Sequence, residues 1–154
     1  MDYNVIDLIN KAIKIGIRQK DVYIKASKEK SDIPSMKIVL KVIIKQIDHS
    51  IEYYEALKKE MEGKNFEAID FVVYDKISFL INEFNERLRQ PPIDDVRHFL
   101  EFTLQLERDT YALFVDIQGR FVKCKNDTHT KTYIILSQII ENQVDFIKEL
   151  EDLM

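Results

Sequence analysis

The sequence predicts an all-α fold built from four long helices, and three observations carry that expectation. Apolar residues recur at spacings of three and four along four separate stretches, the signature of a helix with one buried face. Glycine and proline are scarce, three of each in 154 residues, which suits long helices better than many tight turns. Hydrophobic residues make up 45% and charged residues 32%, the balance of a folded globular chain. A chain of this length is expected to form a single domain over 1–154 and to bury roughly two thirds of its surface, with no need of a disulfide or structural metal.

The first helix is expected after Asp2 as its cap. Val5, Leu8, Ile9, Ala12, Ile15, Gln19, Val22, Tyr23 and Ala26 then form one face, which fades in Ser27-Lys28-Glu29-Lys30. Ser31 or Asp32 followed by Pro34 reads as the cap and first turn of the second helix. Its face runs through Val39, Val42, Ile43, Gln46, His49, Ile51, Tyr53 and Leu57 as far as Met61, with Gly63 as a C-terminal stop. Residues 64–92 break the pattern. Phe66, Ile69, Phe71, Val72, Val73 and Tyr74 read as extended or irregular, and Ile77, Leu80, Ile81, Phe84 and Leu88 as a short helix closed by Pro91-Pro92. This stretch is too long for a tight helical connection and is expected to cross over between two antiparallel helix pairs. Asp94 or Asp95 caps the third long helix, with Phe99, Phe102, Leu106, Leu113, Phe114 and Ile117 inside and Gly119 at its end. Asn126 or Asp127 is expected to start the fourth, whose face is Tyr133, Leu136, Ile139, Ile140, Val144, Ile147 and Leu150.

Charge and composition narrow the function classes. A formal net charge of −4, with lysines and acids interspersed, argues against a nucleic-acid partner, because phosphate binding needs clustered positive charge. The single cysteine, Cys124, excludes an intrachain disulfide and fits a reducing, cytoplasmic setting. The opening Met1-Asp2-Tyr3-Asn4 lacks the basic and apolar regions of a signal peptide. No membrane span is expected: the densest apolar runs, Val39-Leu40 and Val42-Ile43-Ile44, are flanked by Lys37, Lys41 and Lys45. There is no phosphate-binding glycine loop, nucleophile elbow or Cys-x-x-Cys.

Four segments carry the site expectations. In the first helix Gly16 stands seven residues before Tyr23, and in the third Glu107 stands seven before Phe114. The second helix contains Gln46-x-x-His49 and the fourth Ile140-x-x-Gln143. With the two helix pairs and the long connection, this arrangement resembles the ferritin-like superfamily, and rubrerythrin-type domains in particular. The resemblance implies an antiparallel four-helix bundle with a long crossover between helices 2 and 3. It also implies a di-metal site: one Glu before an aromatic on the first helix of each pair, and Glu-x-x-His on the second, all facing inward. Here Glu107 and His49 match that set. Gly16, Gln46, Ile140 and Gln143 replace the other ligands. A one-residue shift in the fourth helix would put Glu141 and Val144 in the ligand frame.

The expected function is therefore a non-catalytic or vestigial ferritin-like bundle, serving in binding or assembly. Its interior would hold a remnant polar cluster of Glu107, His49, Gln46 and Gln143, with no cofactor. The alternative is a rubrerythrin-like oxidoreductase or iron-handling protein that binds iron or another divalent metal through His49, Glu107 and unconventional neighbours. A third reading is a small-molecule binder using space beside Gly16. Asp48 with His49 and Glu52, and Asp94 with His98 and Glu101, have ligand-like spacing but read as solvated or capping residues. Cys124, among Arg120, Lys123 and Lys125, reads as a loop thiol. The aromatic crossover (Phe66, Phe71, Tyr74, Phe79, Phe84) either covers its own bundle or meets another chain, and a homodimer is the expected assembly.

Overall fold

The computed structural model describes residues 3–29, 33–123 and 125–154, and these are helical nearly throughout. The elements are α1 (Val5–Lys28), α2 (Pro34–Met61), α3 (Phe71–Glu86), α4 (Val96–Gly119) and α5 (Lys131–Leu153), with a 3-10 turn over Lys125–His129. Among the described residues one isolated antiparallel bridge, Tyr3 with Ile69, is the only β feature. No described helix is long and apolar enough to cross a membrane.

Helix ends follow local chemistry. Asn4 caps α1: its Oδ1 accepts from the Ile6 amide at 2.8 Å, and Asp7 Oδ2 accepts from the Asn4 amide at 2.9 Å. Asp2, Ser31 and Asp32, the expected caps of the first two helices, lie outside the described residues, as does Cys124. The cap position of α2 is Ile33, which makes no capping side-chain bond, and Pro34 supplies the preset φ of the first turn. Gly63 follows α2 with φ of 80°, the left-handed conformation that ends helices. Asp70 and Asp95 cap α3 and α4 by accepting from Val72 and Arg97 amides. The start of the last helix corrects the sequence expectation. Asn126 and Asp127 fall in the 3-10 turn, and Thr130 caps α5, its Oγ1 accepting from the Tyr133 amide at 3.1 Å. The crossover is also more helical than expected. Phe71, Val72, Val73 and Tyr74 form the first turn of α3, where Asp70 caps them and the burial of Ile77 and Ile81 farther along anchors the helix.

Two apolar clusters fill the interior. The first joins Val5–Ile15 of α1, Tyr54 and Leu57 of α2, Ile77 and Ile81 of α3, Leu113–Ile117 of α4 and Ile135–Ile139 of α5. The second joins Tyr23 and Ala26, then Met36–Ile47, then Phe99–Leu104, then Phe146 and Leu150. On every long helix a buried polar residue separates them: Gln19, Ser50, Glu107 with Thr110, and Gln143. The α3 helix packs on the first cluster only, and Tyr3 stacks on Tyr74 with ring centroids 3.7 Å apart. At the same end of the crossover, Lys131 at the start of α5 donates its amide to Glu67 Oε1 and its Nζ to the Asn65 carbonyl.

Candidate functional site

The buried face of α2 decides where the site residues go. Its buried positions are Met36, Leu40, Ile43, Ile47, Ser50, Tyr54 and Leu57, an alternation of fours and threes. The face expected from sequence shares Ile43 and Leu57 with this one and includes the half-buried Ile51, but its Val39, Val42, Gln46, His49 and Tyr53 follow the same rhythm one residue off. A one-residue offset on a helix rotates the face by roughly 100°. His49 is therefore exposed, and Gln46 is half-buried in a surface groove with Val42, Phe146 and Leu150. This corrects the placement of both in an interior cluster with Glu107. Their neighbour Asp48 pairs with Lys20 at 2.6 Å on the surface, and Glu52 is exposed. In the other ligand-like group, His98 is exposed and 3.9 Å from Asp94, while Glu101 accepts from Arg97. Among the described residues no three His, Cys, Asp or Glu side chains converge as a metal site.

Glu107 and Gln143 do meet. Glu107 on α4 is 1% exposed. Gln143 Nε2 on α5 donates to its carboxyl Oε1 at 3.1 Å and to its backbone carbonyl at 2.8 Å. From α1 the Gln19 amide lies 3.2 Å from both carboxyl oxygens. With Nε2 toward Glu107 it donates to both oxygens, and its Oε1 accepts from Thr110 Oγ1 at 2.9 Å. Around this centre, the Tyr23 hydroxyl donates to Thr103 Oγ1 at 3.2 Å, and Asn142 Nδ2 donates to Ser50 Oγ and the Tyr54 hydroxyl.

Burial sets the electrostatics. Desolvation lifts the Glu107 carboxyl to about 7, opposed by the Gln143 hydrogen bond. Burial likewise raises Tyr23, with the nearby Glu107 charge adding to it, and burial raises Tyr54. The cavity beside Glu107 measures about 20 Å³, room for about one water. Gly16 lines this same cavity, so the space expected beside it amounts to about 20 Å³. A Cβ there would stand 2.9 Å from Ile51 Cγ1, so this glycine lets α1 and α2 approach closely. A cleft of about 370 Å³ lies on the surface between α3 and α4, where Phe84, Leu88, Leu106 and Leu113 are flanked by Glu83, Arg87, Asp109 and Asp116.

The sequence reading missed Thr103, Thr110, Ser50 and Tyr54. The signal was present in Thr103-x-x-x-Glu107-x-x-Thr110, where spacings of four and three align three polar residues on one helix face. Comparison with known protein families, curated proteins and solved structures finds no match.

Proposed function

We propose that this chain is a non-catalytic helical scaffold that assembles with a second copy of itself, on a ferritin-like plan that has lost its di-metal chemistry. The order of the two apolar clusters supports that plan. Along α1 and α5 the first cluster precedes the second, and along α2 and α4 the second precedes the first. Those orders correspond to two antiparallel pairs in which α2 and α4 run the same way. A connection between two parallel helices must traverse the full bundle, and the crossover through α3 has the length for that.

One observation carries the assembly reading. Phe71, Val72 and Phe79 of α3 are 66%, 59% and 61% exposed. At 3.6 residues per turn they share an arc of roughly 100° on the outer face of that helix. Large apolar side chains held in water on one face favour association, and a symmetric dimer buries such a face against itself. The interior, by contrast, meets its carboxyl with the amides of Gln143 and Gln19.

Sedimentation of the purified protein tests the assembly, with Phe71→Asp and Phe79→Asp combined. A dimer that the double variant converts to a folded monomer supports the reading. A monomer at all concentrations refutes it. Elemental analysis with anaerobic iron titration tests the loss of metal chemistry. Stoichiometric metal that disappears in Glu107→Ala would overturn the non-catalytic reading in favour of an iron-handling protein.

A further inference from the structure

Charge is unevenly spread over the folded chain. On the outer side of α1, Lys14, Arg18, Lys25 and Lys28 are exposed, with Asp21 among them and Glu29 just beyond. On α2, Lys37, Lys41 and Lys45 are exposed at intervals of four, which sets them in one row along the helix. No acid falls between Pro34 and Ile47. The fold brings the two runs to one end of the bundle. The second half of α1 and the first half of α2 share the second apolar cluster, and Lys20 bridges to Asp48 across the pair at 2.6 Å. Among the described residues none of the seven exposed cations is in an ion pair. The whole chain carries −4, so the surface outside this hairpin end is on balance more acidic still. A separation of this kind orients the molecule toward an anionic surface before contact.

Three features distinguish a lipid surface from other anionic partners. Apart from Arg18 the exposed cations are lysines, which act as point charges, whereas phosphate and base recognition in nucleic acids draws on the planar fork of arginine. The hairpin end offers no aromatic platform for a base: its one aromatic residue, Tyr23, is fully buried. And two aliphatic side chains stand in water among the lysines, Ile17 at 46% and Ile38 at 67% exposure. Ile38 follows Lys37 and precedes Lys41 by three residues, so it projects beside the lysine row. An aliphatic group held there reaches the boundary between head groups and acyl chains.

We propose that the α1/α2 hairpin docks this protein peripherally on an anionic lipid surface, with Lys37, Lys41 and Lys45 against the head groups and Ile38 among them. The α3 face that carries Phe71 and Phe79 packs on the other apolar cluster, so docking stands or falls independently of self-association.

Co-sedimentation of the intact protein with vesicles tests this. Vesicles of equal parts phosphatidylcholine and phosphatidylserine are expected to bind it, and phosphatidylcholine alone is not. Raising salt from about 0.1 M to about 1 M cuts the screening length to about 3 Å and is expected to release it. Lys37→Glu, Lys41→Glu and Lys45→Glu combined, with helicity checked by circular dichroism, should weaken binding by about a hundredfold or more. The same net change made at the exposed Lys59, Lys64 and Lys76 should leave binding nearly intact. Ile38→Ser should weaken it by about tenfold. Failure to bind the mixed vesicles overturns the proposal, as does equal binding to the neutral ones. An equal loss in both triple variants overturns it too, because net charge alone would then account for the effect. Tighter association with duplex DNA or polyglutamate than with the mixed vesicles would assign the surface to a different partner.

Discussion

The two helix pairs solve the same spatial problem with opposite chemistry. In the first pair, Gly16 stands seven residues before the buried Tyr23 and has no side chain at all, so Ile51 of α2 closes over it. In the second, Glu107 stands seven before the buried Phe114 and brings a carboxyl into the interior, met by amides from α1 and α5. The first pair is held by close apolar approach. The second carries a group that must be hydrogen-bonded in whichever form it adopts. The difference shows that a polar layer need not be shared evenly among the helices it crosses: one strong acceptor suffices, provided its neighbours donate.

The contrast breaks hardest if the carboxyl is moved. Gly16→Glu places a charge where a Cβ alone already meets Ile51, and a loss of about 4 kcal/mol or an unfolded chain is expected by chemical denaturation. Next comes the pH dependence of the native carboxyl. Its folded pKa, about 7, lies above the ordinary value of 4.5, so folding favours the protonated form. The stability this contributes is fully present below about 4.5 and is lost as pH rises through about 7, a change approaching about 3 kcal/mol. Denaturation of wild type and Glu107→Gln across that window measures it, and the variant should lack this component and be the more stable at pH values above 7. Gly16→Ala is a smaller test. Overpacking against Ile51 costs about 1–3 kcal/mol and better helix propensity returns about 1, so a net loss of about 1 kcal/mol is expected. Ile51→Val in the same chain should recover part of it. The smallest effect belongs to His49→Ala. An exposed side chain outside the interior should change stability by no more than about 0.5 kcal/mol, and any metal content not at all.

That last variant also marks where sequence reasoning stopped. The long helices and Gly63 as a stop were legible, and the cap of α4 was narrowed to Asp94 or Asp95, because periodicity and capping are local properties. Glu107 and Gln143 were singled out by their places in the ligand pattern that the resemblance implies, Glu107 seven residues before Phe114 and Gln143 three after Ile140. The α2 register was not legible. Val39, Leu40, Val42, Ile43 and Ile44 put apolar groups on adjacent positions, so two faces one residue apart look equally buried. Only packing in one cluster with Tyr23 and Phe99 selects Leu40 and Ile47, beside the expected Ile43, over Val39, Val42 and Gln46. The Gln19 contact was illegible for a different reason: it joins α1 to α4 across the interior, and no local pattern reports which polar residues face one another.

The pinning of the crossover bears on the order in which the molecule comes apart. The α1/α2 and α4/α5 pairs are joined through near neighbours in the chain, and such local contacts form early and reform readily. The α3 segment is tied by a bridge from Tyr3 to Ile69 at one end, by Lys131 to Asn65 and Glu67 nearby, and by Ile77 and Ile81 inserted into one cluster. These partners are distant in sequence and few in number. Amide protons of α3 should therefore exchange with solvent through a partial opening that leaves the long helices closed, at a rate set by this clasp rather than by global unfolding. The helix that displays Phe71, Val72 and Phe79 is then also the part of the molecule most easily lifted from it.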